Sequence, residues 1–185
     1  WAMRSHLRAA ASMEKLAEEI VPITIPQRKG DPITISQDES IRPSTTIEAL
    51  STLKSAFSQD GTITAGNAPG VNDGACAVVL MSENQAQKEG RKPLATILGH
   101  AEVGVEPKDF PQTPGLVIEK LLEKTGKTVD DINQIEINEA FAAVALVSNQ
   151  IAGLDEEKVN VNGGAVALGH PIGASGARII LTLAY

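Results

Sequence analysis

The sequence has a single cysteine, Cys76, no long apolar run and no excess of basic residues. One cysteine excludes an internal disulfide and suits a reducing compartment, so we expect a cytoplasmic protein. The formal net charge is −7, and Lys and Arg are scattered along the chain. This predicts no nucleic-acid partner, because such a surface needs a basic face. No apolar run approaches the roughly 18 residues of a membrane-spanning helix, so no membrane partner is expected either.

The beginning of the chain also lacks the features of a secretory signal. Two early arginines could suggest a transit peptide, but three glutamates follow them and there is no signal-peptide apolar core. Apolar residues instead recur at spacings of three and four from Met3 to Ile20. This pattern predicts an amphipathic helix that stops before Pro22.

The rest of the chain alternates between β-type and helical patterns, which indicates an α/β architecture. Short β-type runs at 21–25 and 32–36 predict a hairpin. Further strands are predicted at 75–81, 94–105, 134–138 and 159–162. The first of these is continuously apolar, as expected of a strand buried on both faces. Helices are predicted to open near Thr45, Ser82, Thr113, Glu139 and Ala177. A change of pattern near residue 91 is a candidate domain boundary.

The most informative stretch runs from Val159 to Gly176. It joins a β-type run to an apolar run of helical character through a loop with five glycines and one histidine, His170. Glycines let a ligand approach the backbone closely. A loop that opens a helix offers free N–H groups and the positive end of the helix dipole. We therefore interpret this segment as a place where developing negative charge on a ligand meets an imidazole.

Three segments, in this order along the chain, resemble motifs of the thiolase family. Residues 62–75 are similar to its TAGNASGxNDGAA stretch, residues 138–142 (Asn-Glu-Ala-Phe-Ala) to its NEAFA motif, and residues 162–176 to its Gly-His-Pro signature. The similarity extends into the N-terminal part and covers essentially all 185 residues. It implies an α/β fold, namely part of the layered αβαβα thiolase fold, with a mixed sheet and helices on both faces.

The resemblance also implies a division of the chain and an activity. Residues 1–70 correspond to the second part of the thiolase loop domain, 71–90 to the return segment of the N-terminal core half, and 91–185 to an incomplete C-terminal core half. The implied activity is acyl transfer between coenzyme A thioesters, by Claisen condensation or thiolysis, as in fatty acid metabolism. The coenzyme A thioester is then a substrate, and no permanently bound cofactor is expected. The full-length parent is expected to be a homo-oligomer.

Two departures from the family pattern bear on activity. Thiolases use a nucleophilic cysteine in the first half and an acid/base cysteine in a C-terminal CxGGG loop, and neither motif is present. Cys76 stands where the family usually has a small residue, and its apolar neighbours predict a buried, unreactive thiol. Pro69 replaces a serine that hydrogen-bonds the pantetheine arm, and proline has neither a hydroxyl nor an N–H to offer. We therefore expect the C-terminal part of a thiolase, cut at both ends and inactive alone.

The resemblance assigns catalytic roles to His170 and Asn138. His170 is expected to help activate the nucleophilic cysteine and to donate a hydrogen bond to the thioester oxygen as enolate charge develops. Asn138 is expected to hold a water that completes the same oxyanion hole. The residues implied to contact coenzyme A are Arg42, Phe57, Ala65, Ala140 and Phe141.

Without the family, blander interpretations of the same residues remain open. His170 could be structural, and Asn138 could be a helix N-cap. Glu139 could be a second acid/base or, as we favour, a first-turn carboxylate stabilised by the helix dipole. Phe141 could be a core residue and Arg42 a solvated surface residue.

Two other functions fit part of the sequence. Gly169, Gly173 and Gly176 lie between a strand and a helix and suggest a dinucleotide phosphate loop, although their spacing is not GxGxxG. The absent cysteine motifs suggest instead a non-catalytic, truncated or degenerate thiolase-like module that binds coenzyme A. No metal site is predicted, because His6 and His100 have no second ligand at a metal-binding spacing.

Overall fold

The computed structural model describes residues 1–185. Its α-helices are α1 (Ala2–Ala11), α2 (Met13–Glu19), α3 (Ile47–Ser51), α4 (Glu83–Lys88), α5 (Thr113–Thr125), α6 (Ala142–Ala152), α7 (Ala165–Leu168) and α8 (Ile172–Ala184). The strands are β1 (Ile23–Ile25) and β2 (Ile33–Ile35), and 3₁₀ turns lie at Pro107–Gln112, Val129–Asp131 and Glu156–Lys158. None of these helices combines the length and the hydropathy that a bilayer crossing requires.

The predicted N-terminal helix is present but is divided in two. The backbone at Ser12 (φ −106°, ψ 14°) separates α1 from α2, and α2 ends before Pro22, as expected. α1 packs against α7, where the small residues Ala9 and Ala167 are both fully buried. Contact is so close that a Cβ at Gly163 would lie 2.7 Å from that of Ala9. The first helix therefore sits directly on the segment that leads to the histidine loop.

The predicted hairpin is also present. β1 and β2 run antiparallel, with Thr24 opposite Thr34. Because successive side chains of a strand point to opposite faces, the four isoleucines of the two strands share one face. The two threonine hydroxyls lie 3.2 Å apart on the other face.

The strands predicted at 75–81 and 94–105 do not form. Neither segment makes a backbone hydrogen bond to another segment, and side chains such as Val79 and Leu98 are 85% and 75% exposed. A strand is held by backbone hydrogen bonds to a neighbouring strand, and no strand of the structure pairs with either segment. The prediction of a strand at 75–81 that is buried on both faces is therefore wrong for this structure.

The strands predicted at 134–138 and 159–162 are reduced to one parallel bridge between Ile135 and Val159. The Ile135 N–H donates to the Lys158 carbonyl, and the Asn160 N–H donates to the Ile135 carbonyl, both at 2.9 Å. The core beside this bridge consists of Ile137, Val144, Ala152, Leu154 and Val159. The bridge places Asn138 at the end of one segment and the histidine loop beyond the end of the other.

The helices that flank this bridge begin away from their predicted starts. α6 begins at Ala142, with Phe141 as its N-cap. Asn138 is therefore not a helix N-cap and Glu139 is not in a first helical turn, so both of those alternatives are wrong. α8 begins at Ile172, inside the glycine-rich segment rather than after it.

Candidate active site

The ring of His170 lies between two polar side chains. Its Nε2 is 3.3 Å from Nδ2 of Asn138, and its Nδ1 is 2.7 Å from Oγ of Ser175. Asn138 follows bridge residue Ile135, and His170 lies beyond bridge residue Val159, so the paired segments bring the two side chains together. The structure thus joins the two residues that the sequence singled out as catalytic candidates.

Ser175 was not identified from the sequence. It lies in the first turn of α8 and is 2% exposed. The sequence pattern predicts a helix start at Ala177, which puts Ser175 in a loop with no fixed direction. A helix that begins immediately after Pro171 turns residue 175 back towards the histidine. Placing the helix start at this proline would therefore have identified Ser175 from the sequence.

The backbone of the histidine loop is held by the segment that contains Asn72. The His170 N–H donates to the Gly70 carbonyl oxygen at 3.2 Å and to Asn72 Oδ1 at 3.3 Å. Gly169 adopts a φ of +92°, and a Cβ there would lie 2.5 Å from Asn72 Oδ1, so this position requires glycine. Asn72 belongs to the 62–75 motif, but its contact with His170 spans 98 residues and has no local signature.

Burial lowers the pKa of His170, and the positive charge of Arg178 lowers it further. The imidazole is therefore neutral at neutral pH, and one of its ring nitrogens can accept a proton. A neutral imidazole that faces an amide group can act as a general base and, once protonated, as a hydrogen-bond donor to developing negative charge.

Glu139 is fully buried, and four groups donate hydrogen bonds to it. Its Oε1 accepts from Trp1 Nε1 at 2.7 Å and from Asn160 Nδ2 at 2.9 Å. Its Oε2 accepts from Ser5 Oγ at 2.8 Å and from the Val166 N–H at 3.0 Å. All four partners are donors, which matches an ionised carboxylate that only accepts. Glu139 therefore ties α1, α7 and the segment before α6 into one unit.

Asn138 is positioned by the groups on either side of it in the chain. The side chain of Asn160 accepts from the Ile137 N–H at 2.7 Å and donates to the Ile137 carbonyl at 2.8 Å. Glu139, the next residue after Asn138, is fixed by its own four hydrogen bonds. The backbone of Asn138 is therefore held at both ends, which keeps its amide group beside His170.

We expect Glu139→Gln to lower the free energy of unfolding by about 1–3 kcal/mol, the usual cost of leaving buried groups without partners. Whichever way the amide is turned, its NH₂ group has to face two of the four donors. Urea denaturation of the 185-residue chain measures the effect. Glu119→Gln, an exposed substitution on α5, is the matched control and should leave stability unchanged. Equal stability of the Glu139→Gln variant and the unsubstituted chain would contradict the network.

Two of the residues implied to contact coenzyme A lie against each other. The rings of Phe57 and Phe141 meet edge to face, with centroids 6.0 Å apart and an interplanar angle of 85°. Phe110 contacts the other side of Phe141, at 6.1 Å between centroids. Phe57 is 76% exposed, so one face of this aromatic cluster is open to a ligand.

The other three candidates are more dispersed. Ala140 is half-buried against the core, whereas Ala65 is exposed. Arg42 is exposed beside α1, where its backbone N–H donates to Nδ1 of His6 at 3.2 Å. His6 is therefore a buried histidine with a hydrogen-bond partner, and His100 is an exposed one.

Cys76 lines a cavity of about 410 Å³ beside the histidine loop. The wall residues are Asn72, Asp73, Gly74, Ala75, Cys76, Pro171, Ile172, Gly173 and Ala174. The thiol is half-buried rather than fully buried, because the segment around it lies outside any sheet. The expectation of a buried thiol is therefore wrong. The thiol is nevertheless not a partner of His170, because both ring nitrogens of His170 face other side chains.

Arg178 lies within electrostatic reach of both His170 and Glu136, and Glu136 is in turn close to other charged side chains. Burial raises the pKa of Glu136 to about 8; the charges of Glu139 and Glu19 also raise it, and Arg178 opposes them. Glu136 Oε2 and both terminal nitrogens of Arg178 are buried without a hydrogen-bond partner. The two groups are thus close enough to interact but do not form a hydrogen-bonded ion pair.

The raised pKa of Glu136 makes stability depend on pH. The folded chain favours the protonated carboxyl, so its contribution is complete below the ordinary pKa of 4.5 and is lost as pH rises through about 8. We expect Glu136→Gln, which stays neutral, to leave the melting temperature unchanged at acid pH and to raise it by about 5 °C or more near pH 9. Thermal unfolding measured across this range tests it, with Glu119→Gln as the control. A melting-temperature difference that does not change with pH would contradict the assignment.

The fold and the site together define a class of protein. It is an α/β protein in which a neutral loop histidine and an asparagine amide converge, a pair suited to moving a proton and to stabilising an oxyanion. The family descriptions "Thiolase, N-terminal domain" and "Thiolase, C-terminal domain" match residues 1–84 and 91–185. The chain belongs to the thiolase family, as its three motifs predicted.

Sequence relatives agree with this assignment. The chain is 50% identical over 185 residues to an acetyl-CoA acetyltransferase of Chromobacterium violaceum, covering 99% of this chain and 47% of the relative. It is 52% identical over 175 residues to an acetyl-CoA acetyltransferase of Cupriavidus necator, covering 95% of this chain and 44% of the relative. The chain spans about half the length of these relatives.

Solved structures agree on the fold. The crystal structure of the Bacillus anthracis acetyl-CoA acetyltransferase matches with a TM-score of 0.94 and 48% identity, over 99% of this chain and 47% of that one. The crystal structure of human mitochondrial 3-ketoacyl-CoA thiolase matches with a TM-score of 0.92 and 41% identity, over 99% of this chain and 46% of that one. The fold is therefore a partial thiolase α/β fold.

Proposed function

We propose that the chain is part of an acyltransferase that moves acyl groups between coenzyme A thioesters, by Claisen condensation or the reverse thiolysis. The observation that carries this proposal is the approach of His170 Nε2 to the Asn138 amide, at 3.3 Å. An enolate beside a thioester forms only if its oxygen meets preorganised donors, and these two groups are such donors. Acetyl-CoA is our preferred substrate, because several similar proteins are named acetyl-CoA acetyltransferases.

The two residues have different roles in the proposed reaction. The lone pair of His170 takes the proton of a nucleophilic thiol, and the protonated ring then donates a hydrogen bond to the thioester oxygen. Asn138 contributes its amide N–H, directly or through a water, to the same oxyanion. Neither role requires a bound cofactor, and coenzyme A enters as part of the substrate.

The remaining parts of the proposal concern coenzyme A and the organisation of the chain. The exposed face of the Phe57–Phe141 cluster, with Ala65 and Ala140, would contact the pantetheine arm, and Arg42 would lie near the nucleotide end. We retain the proposed division at residues 70 and 90. The family matches, which cover 1–84 and 91–185, support only the boundary near residue 90. A cytoplasmic location and a homo-oligomeric parent complete the proposal.

A chimeric enzyme tests the proposal. The 185 residues can replace the matching segment of the Bacillus anthracis acetyl-CoA acetyltransferase, with which they share 48% identity and a TM-score of 0.94. Because the rest of that enzyme is retained, we expect the chimera to cleave acetoacetyl-CoA with coenzyme A, measured by loss of the substrate's absorbance. A chimera that folds and assembles like its parent but has no thiolysis activity would reject the proposed function.

A binding-only module is the second candidate, and the exposed ring of Phe57 beside Phe141 supports it. It predicts that the 185-residue chain binds coenzyme A and that the folded chimera gains no turnover. Isothermal titration measures whether the 185-residue chain binds coenzyme A, with Phe141→Ala as the variant. Binding together with a folded chimera that has no thiolysis activity would favour the binding-only module, and turnover by the chimera would favour the acyltransferase.

A further inference from the structure

The hydroxyl of Ser175 has one proton and two polar neighbours, so it can donate a hydrogen bond to only one of them. Its Oγ lies 2.7 Å from His170 Nδ1 and 3.1 Å from the carbonyl oxygen of Pro171. The carbonyl oxygen only accepts hydrogen bonds, and the geometry of the second contact is that of a bond donated by the Ser175 hydroxyl to Pro171. Helical serines commonly make this bond to the carbonyl four residues earlier. The oxygen lone pair that remains can then only accept a hydrogen bond, and the partner in reach is Nδ1–H of His170.

The opposite side of the ring gives an independent indication of the same proton position. Asn138 Nδ2 is a donor, and it faces His170 Nε2 at 3.3 Å. A nitrogen that receives a hydrogen bond carries a lone pair, so Nε2 is the unprotonated nitrogen of the neutral ring. Both contacts therefore select the tautomer with its proton on Nδ1.

We infer that Ser175 is a positioning residue that fixes His170 in the Nδ1–H tautomer and so directs the basic Nε2 towards Asn138. The role of Nε2 as the base rests on the proposed function. The tautomer of the ring does not, because it follows from contacts within the chain. The hydrogen bond made by one ring nitrogen decides which nitrogen is free to act, as in histidine sites generally. Ser175 is 2% exposed, so water cannot easily replace its hydroxyl.

Nitrogen-15 NMR of the 185-residue chain tests this inference without any turnover. The chain has three histidines, and His170→Ala identifies the signals of His170. At pH 8 we expect Nδ1 in the protonated, pyrrole-type range and Nε2 in the unprotonated, pyridine-type range. Ser175→Ala should shift the population towards the Nε2–H tautomer, and Ser175→Thr, which keeps the hydroxyl, should restore the original pattern.

Ser148→Ala is the matched control, because Ser148 is also a helical serine, fully buried, and its hydroxyl has no partner. It should leave the His170 signals unchanged. A protonated Nε2 in the unsubstituted chain, or an unchanged pattern in a folded Ser175→Ala variant, would overturn the inference. If Ser175→Ala does not fold, the unsubstituted chain and Ser175→Thr still decide the tautomer.

The chimera adds a functional measurement. There, Ser175→Ala should lower kcat by roughly 10-fold or more with little change in KM, because loss of the correct tautomer affects proton transfer rather than binding. Ser175→Thr should recover most of that rate. An inactive chimera whose His170 is nevertheless protonated on Nδ1 would reject the proposed function and leave the role of Ser175 intact.

Discussion

In the chimera, His170→Ala is expected to lower thiolysis turnover by roughly 100-fold or more, the usual loss when one donor of an oxyanion hole is removed. The reason is that His170 is both the proposed base and the proposed donor to the enolate oxygen. Its neutral ring, held between Asn138 and Ser175, has no equivalent neighbour to replace it. The effect should fall mainly on kcat, because the interaction is strongest when negative charge develops.

Two comparisons make this result specific. Asn138→Ala should cost less than His170→Ala, because a water molecule can occupy the space of the amide and donate in its place. His100→Ala is the matched control, since His100 is exposed and belongs to none of the contacts of the site. Turnover of the His170→Ala chimera within a few-fold of the unsubstituted chimera would remove His170 from the mechanism.

The pairing of His170 with Asn138 could be predicted because each is marked by local sequence. One lies in a glycine-rich loop before a helix, the other at the end of a β-type run, and α/β proteins collect ligand sites at such ends. The family motifs pointed to the same residues. The helix starts near Ser82 and Thr113 and the hairpin were also predictable, since capping residues, proline and alternating patterns act over a few residues.

Contacts between distant parts of the sequence could not be predicted in this way. Trp1 and Glu139 are 138 residues apart, and Asn72 and His170 are 98 apart. No periodicity connects such positions. The local sequence therefore predicts a first-turn carboxylate at Glu139, whereas the structure places it at the centre of a buried network. The strand predicted at 75–81 failed for a related reason. An apolar pattern predicts a strand, but it does not specify the neighbouring strand that the hydrogen bonds require.

The 185-residue chain alone is expected to form no measurable acetoacetyl-CoA from acetyl-CoA. A reaction that proceeds through an acyl-cysteine depends on its nucleophile, and removing a nucleophile typically costs several orders of magnitude in rate. Cys76 is the only thiol. It lies on the wall of the cavity beside Pro171, but no hydrogen bond joins it to His170, whose two ring nitrogens face Asn138 and Ser175.

Cys76→Ala decides whether this thiol takes any part. We expect the chain and its Cys76→Ala variant to be equally inactive when they are assayed beside an intact thiolase at the same protein concentration. Activity of the chain that disappears in Cys76→Ala and persists in Ala75→Ser, a conservative change in the same cavity wall, would make Cys76 the nucleophile. The opposite outcome is activity near that of the intact thiolase that persists in Cys76→Ala. It would show that the chemistry does not need a thiol from this chain, and the proposed acyl-cysteine route would have to be abandoned.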